Sequence, residues 1–181
     1  MKSLLLVVLV MMPCALCAQA PYIQPDFYND PLPEHAGVTV NAGQTADEFG
    51  DPASQVIYYT EGGKIRMFML KNSTMAFTLA TMDTLPATPD TIRSLHMRFI
   101  GEASSLVDPI AYGVRNLKQN FHMAHCNATG VESYYRVIYE NVYPFIDVHV
   151  YHGLYGEKLA IVMRPGADPQ MCCLNSRGRT V

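Results

Sequence analysis

The stretch NVYPFIDVHVYHGLYGEKLAIVMRPGADP, residues 141–169, decides the fold by its alternation. Ile146, Val148 and Val150 recur at every second position, and Leu159, Ile161 and Met163 repeat the pattern after a break containing Gly153 and Gly156. Period two belongs to a strand, whose successive side chains leave opposite faces. The stretch reads as strand, turn and strand, closed by Pro165-Gly166 and Asp168-Pro169. Its other positions carry Asp147, His149, Tyr151 and His152, residue types that also perform acid–base chemistry. Alternation sorts them. His149 and His152 lie three apart and leave opposite faces, so they cannot share an ion, whereas Asp147, His149 and Tyr151 share one face. A carboxylate two residues from an imidazole can orient it as a base; the expected arrangement is instead the ordinary polar face of a half-buried sheet.

Working outward, QVIYYT (55–60) and KIRMFMLK (64–71) flank EGG (61–63), whose glycines suit the positive φ of a tight hairpin. Ile65, Met67 and Met69 share one face of the second strand, and Arg66, Phe68 and Leu70 the other. NST (72–74) turns the chain into MAFTLATM (75–82), DTLPATPDT (83–91) is a Pro-broken loop, and SLHMRFIGE (94–102) resumes with Leu95, Met97 and Phe99 on one face. Residues 104–130 are the least regular. Leu117, Phe121 and Ala124 fall at helical spacing while Gly113 and Asn116 break it, leaving a short helix or an ordered loop open. Strand signals return in ESYYRVIYENV (132–142) at Tyr134, Val137 and Ile138. Many short strands without a long amphipathic helix predict an all-β domain, an antiparallel β-sandwich or barrel-like meander with little helix.

The ends set the compartment. MKSLLLVVLVMMPCALCA places one Lys before an apolar run from Leu4 to Met12 and ends in small residues, the pattern of a signal peptide over 1–18 with cleavage after Ala18 or Ala20. Pro13 and Leu16 stand where a small residue would precede a lipidated Cys14 or Cys17, which argues against lipidation. Residues 19–36 form a Pro-rich extended lead-in, 37–174 the β-rich domain and 175–181 a tail, with the RGR of Arg177–Arg179 expected in solvent. The protein is expected to be exported through the Sec pathway to the exterior or outer surface of the cell. No later segment is apolar enough for a membrane-spanning helix. Thirteen Lys and Arg against sixteen Asp and Glu leave a net charge of −3 without a basic cluster, which argues against phosphate-directed nucleic-acid binding.

After the signal peptide three thiols remain, Cys126, Cys172 and Cys173. A disulfide from Cys126 to the Cys172/Cys173 pair would contribute roughly 4 kcal/mol in the chain-entropy account; three reduced thiols are equally compatible with the sequence. His122, His125 and Cys126 could offer metal ligands only on a helix, and no fourth ligand is apparent. Neither a Gly-x-Ser-x-Gly elbow nor a phosphate-binding loop is present. No cofactor is expected. Asn72-Ser73-Thr74 and Asn127-Ala128-Thr129 fit the N-glycosylation pattern.

The order of four motifs carries a resemblance. NAGQT (41–45), MRFIGE (97–102), RVIYENVYPFIDVHVYHG (136–153) and IVMRPGADP (161–169) resemble the N-terminal β-rich domain of large secreted bacterial proteins, where it precedes β-propeller-type SBBP repeats or immunoglobulin-like and sorting modules. The shared pattern falls on Asn41, Gly43 and Gln44, on Tyr143, Pro144 and Asp147, and on Pro165, Gly166, Asp168 and Pro169. Phe145 stands where that pattern has Gly, so a bulky residue must accept the turn or the turn must differ. The chain stops soon after Pro169, where the family continues, and is expected to be C-terminally incomplete relative to it. Asp83-Thr84-Leu85 and Asp90-Thr91-Ile92 resemble the O-glycosylation pattern of secreted Bacteroidetes proteins, on Thr84 and Thr91. The resemblance implies no catalytic residue. It implies a noncatalytic structural or interaction domain, with adhesion to an extracellular protein or glycan as its sharper form. The competing expectation is a secreted hydrolase or metal-dependent enzyme using His122/His125 or Asp147/His149.

Overall fold

The computed structural model describes residues 37–47, 50–61, 65–81, 91–101, 106–153 and 156–180. The signal peptide, the lead-in and Thr84 lie outside them. The fold is all-β and antiparallel: one sheet curls into a half-barrel, with a single 3-10 turn, Pro169–Met171, among the described residues. Ten strands run β1 (Gly37–Val40), β2 (Val56–Glu61), β3 (Ile65–Leu70), β4 (Thr74–Thr81), β5 (Thr91–Ile100), β6 (Ile110–Met123), β7 (Cys126–Tyr143), β8 (Ile146–Gly153), β9 (Gly156–Met163) and β10 (Cys173–Thr180). Their order across the sheet is β10-β5-β4-β3-β2-β1-β7-β8-β9, with β6 added on β7.

The long strand β7 causes the curl. Tyr134 pairs with both Val38 of β1 and Val114 of β6, while Arg136 pairs with both Tyr112 of β6 and Tyr151 of β8. A strand has two edges. Since β6 runs along one, β1 and β8 must share the other end to end, and the sheet forks there into a branch through β1 and β2 and a branch through β8 and β9. The branches face each other. Val38, Met67, Met69, Met75 and Phe99 from the first meet Val137, Tyr139, Val142 and Tyr143 of β7 and Ile146, Val148 and Val150 of β8, all buried. Each such aliphatic side chain contributes about 1.5–3 kcal/mol of burial. Three residues of this core, Met67, Met69 and Met75, are unbranched methionines, which adapt readily to irregular packing. A smaller cluster of Ala53, Val56, Tyr59, Leu70 and Ala76 covers the other side of β2–β4.

Several expectations need correction. Residues 110–123 form neither helix nor loop but strand β6. Leu117 and Phe121 are four apart, an even number that satisfies strand alternation as well as a helical turn, and pairing with β7 decides between them. The strands are not uniformly short, since β6 and β7 span 14 and 18 residues. Residues expected as a tail form β10, which pairs along β5 from Cys173↔Ile100 to Thr180↔Arg93. An edge strand needs a backbone ladder more than an apolar face, so hydropathy does not reveal it. Thr91 opens β5 instead of lying in a loop.

Cys126, Cys172 and Cys173 are all free thiols. Cys126 begins β7 and its thiol points to the Ala42 carbonyl at 3.6 Å, whereas Cys173 sits against the Tyr143 hydroxyl where β7 ends. Seventeen residues of strand (143 − 126), roughly 50 Å along the backbone, separate the two places.

Candidate functional site

Asp147, His149 and Tyr151 do share a face of β8, but that face is covered. Asp147 is 9% exposed and His149 1%, so the expectation of an ordinary half-buried polar face is corrected. The neighbours supply the cover. Register places Tyr112, Arg136, Tyr151 and Lys158 in one row across β6, β7, β8 and β9, and Ile110, Ile138, His149 and Ala160 in the next. The Arg136 guanidinium lies 5.7 Å from the centre of the Tyr112 ring and the Lys158 ammonium 5.9 Å from that of Tyr151, within cation–π range. The Tyr112 hydroxyl donates to the Glu140 carboxylate, which raises the Tyr112 pKa. Burial, and then the positive charge of Arg136, lowers the His149 pKa below its ordinary value, against the opposite pull of Asp147 and Glu140. His149 is therefore neutral at pH 7.

Asp147 holds the adjoining turn. One carboxylate oxygen accepts the Asn141 backbone N–H at 2.7 Å and the Arg164 guanidinium at 3.2 Å, and Arg164 also donates to the Asn141 side chain. The turn is Pro144-Phe145, between the paired Tyr143 and Ile146. Pro supplies the negative φ of the first turn position, and Phe145 takes φ +63°, the left-handed conformation that favours Gly. Its ring rests where a Cβ on Gly166 would lie 3.6 Å away.

The other motif residues are similarly engaged. The Asn41 amide donates to the Ala53 and Val56 carbonyls, and its oxygen accepts from the Gly43 and Thr45 N–H groups. The Gln44 amide donates to the Val40 carbonyl and accepts from the Ala42 N–H, both at 2.6 Å. Gly43 takes φ +103° in this loop. The Tyr143 hydroxyl lies 2.7 and 2.6 Å from the Ile100 and Cys173 carbonyls and 3.1 Å from the Cys173 N–H, joining the ends of β5, β7 and β10. Asp168 caps the 3-10 turn by accepting from the Gln170 N–H, with Pro169 at its first position, while Gly166 in the preceding turn takes φ +95°.

The remaining candidates do not converge. His122 bonds Asn127 at 2.7 Å and faces it across the β6–β7 pair, while Cys126 pairs with Met123 and leaves the opposite face. His125 lies in the turn, its Nε2 3.4 Å from the Gln44 carbonyl. Among the described residues no three His, Cys, Asp or Glu side chains gather as metal ligands. His152 lies on the face opposite His149, 3.5 Å from Glu157. An open depression of about 360 Å³ lies beside the β3–β4 turn, lined by Gln55, Leu70, Lys71, Asn72, Thr74, Arg98 and Leu106, and holds none of these residues. Asn72 of the first glycosylation sequon is exposed in that turn, while Asn127 is exposed within β7. No helix among the described residues is long and apolar enough to cross a membrane.

Sequence reasoning missed Arg136, Glu140, Tyr112 and Arg164 as members of the Asp147/His149 cluster. Arg136 carried one usable signal, a charge inside a strand otherwise rich in Val, Ile and Tyr.

Residues 39–180 match the family described as a domain of unknown function, DUF7948, and the chain belongs to that family. No curated protein and no solved structure shows significant similarity to it.

Proposed function

We propose that this member of the DUF7948 family is a noncatalytic structural and interaction domain, exported from a bacterial cell and used outside it or on its surface. The observation that carries the reading is the engagement of the motif side chains. Asn41, Gln44, Tyr143, Asp147 and Asp168 all hydrogen-bond the chain's own backbone, which is what a recurring scaffold requires. A catalytic base must come within hydrogen-bond reach of a substrate proton, and His149 is 1% exposed. The apolar run and small-residue end of residues 1–18 support export. The motif order supports a setting in large secreted proteins of the Bacteroidetes type, ahead of SBBP or immunoglobulin-like modules. Adhesion to an extracellular protein or glycan is the sharper form of the proposal, with exposed tyrosine such as Tyr135 as the stacking surface.

Fractionation of the native host with N-terminal sequencing tests export: the protein belongs in the extracellular or surface fraction and begins at Gln19 or Pro21. A full-length precursor confined to the cytoplasm would overturn it. A glycan array without binding removes the glycan form of adhesion, and hydrolysis of ester, peptide or glycoside substrates that is lost in His149→Ala would overturn the noncatalytic reading.

A further inference from the structure

Four strands, β3, β4, β5 and β10, contain five Arg between them and neither Asp nor Glu. Along the chain these arginines are scattered from residue 66 to residue 179, so no basic cluster shows in the sequence. The register assembles one. Met67, Met69, Met75 and Phe99 point into the core, and alternation sends the intervening positions to the outer face. There Arg98 pairs with Asn175 in one row, His96 with Arg177 in the next and Ser94 with Arg179 in the third, which Arg66 joins through Thr78. Arg98 and Arg177 are diagonal neighbours, about 7–8 Å apart, and Arg179 follows Arg177 by about 7 Å of strand. Lys71 and Arg98 also line the open depression beside the β3–β4 turn, together with Asn72 and Thr74. Asp108, bonded to the Asn72 N–H at 3.0 Å, is the carboxylate at that turn. Arg66, Lys71, Arg98 and Arg177 are exposed, and among the described residues no carboxylate forms an ion pair with any of them. Elsewhere the two signs are mixed, as in Lys118 with Glu132 and Arg164 with Asp147. A face of one sign repels itself, and soluble surfaces intersperse the signs unless a field is wanted.

We propose that the outer face of β5 and β10, continued into the depression at Lys71, binds an acidic polysaccharide, a flexible chain of sugar carboxylates. The proposal rests on the extracellular reading above and adds a charged face to the tyrosine surface named there. Charge complementarity selects a polyanion, and shape selects among polyanions. The face is the outer side of a half-barrel, so a flat bilayer or a rigid duplex meets it only along a narrow strip, whereas a flexible single chain follows the curve. Single-stranded nucleic acid binds through stacked bases as well as charge, and the aromatic residue of these rows, Phe68, is already stacked on Tyr59 with ring centres 6.4 Å apart. Guanidinium forks take carboxylates two oxygens at a time, which suits arginine to a chain of sugar acids.

Titration of the full mature chain with polygalacturonate tests the face. Affinity should fall at least about tenfold between about 50 and 200 mM salt, as release of counterions from a polyanion requires. Arg177→Gln, at an exposed position, should weaken binding about fivefold, and Arg98→Gln combined with it about twentyfold. Lys118→Gln makes the same change of charge on β6, outside this face, and should leave affinity within about twofold. Equal losses in Lys118→Gln and Arg177→Gln would overturn the proposal, as would no binding at the lower salt concentration. Tighter binding of single-stranded DNA, or of phosphatidylglycerol vesicles, than of polygalacturonate would overturn the choice of glycan. Binding of neutral glycans alone, unchanged in the double variant, would overturn this inference and leave adhesion standing, so the two readings fail separately.

Discussion

Tyr139→Phe tests the cross-core tie on which the fork depends. Tyr139 is fully buried in β7, and its hydroxyl lies 2.9 Å from the Leu70 carbonyl and 2.8 Å from that of Thr74. These two residues form the pair that closes the β3–β4 turn, where Asn72 and Ser73 both hold positive φ. A phenol has one proton, so it serves one carbonyl fully and the other as a shared acceptor. The substitution therefore removes about one and a half neutral hydrogen bonds while leaving the ring's packing intact. At about 1 kcal/mol net per bond, the expected loss is about 1–2 kcal/mol, a fall in Tm of roughly 2–8 °C for a domain of this size. Burial holds the phenol far above its ordinary range, so the loss should be the same at every workable pH. The chain has no Trp and eleven Tyr, which makes urea unfolding followed by far-UV circular dichroism the suitable assay. The midpoint should drop with m unchanged. A midpoint equivalent to less than about 0.3 kcal/mol of change would refute the tie, because the hydroxyl would then exchange its carbonyls for water at no cost.

Four further outcomes are expected. Asp147→Ala leaves the Asn141 N–H and Arg164 without their shared acceptor and should cost about 1–3 kcal/mol in the same unfolding assay; a neutral result would show that water replaces the carboxylate. Phe145→Gly relieves a left-handed conformation at a half-exposed residue and should stabilise by up to about 1 kcal/mol, whereas a net loss would mean that the ring against Gly166 outweighs the backbone. Because the His149 pKa is lowered in the fold, the unfolded chain takes up its proton first as pH falls through about 6.5, binding more protons than the native state. Stability should therefore decline below that pH by at most about 1.4 kcal/mol per unit, and His149→Gln should flatten this limb of the pH–stability curve. Thiol titration of the unfolded mature protein should find three reactive groups, and fewer would indicate a bridge that the fold does not contain.

Alternation alone made β8 and β9 legible, because one face of β8 holds an uninterrupted Ile146, Val148, Val150 series that must be buried. The Pro144-Phe145 turn was marked only by the resemblance, which implied Gly where Phe145 stands; the positive φ there came from the structure. Strand β6 was not legible, since residues four apart satisfy a helix and a strand alike. Strand β10 was not either, since its place depends on the free edge of β5. The site read the same way. That Asp147 and His149 share a face follows from parity, but their burial follows from Tyr112 and Arg136 lying alongside, set by pairings between β6, β7 and β8 that no local pattern encodes.

The sequence by itself determined the class of the fold and the strand faces of the 141–169 stretch, because each is a property of neighbours along the chain. Only the tertiary structure decided that β1 and β8 share one edge of β7, that the polar face of β8 is closed over, and that β10 extends the sheet beyond β5. Those facts arise from which distant strands pair, and a strand's own residues specify its two faces far more strongly than its two edges.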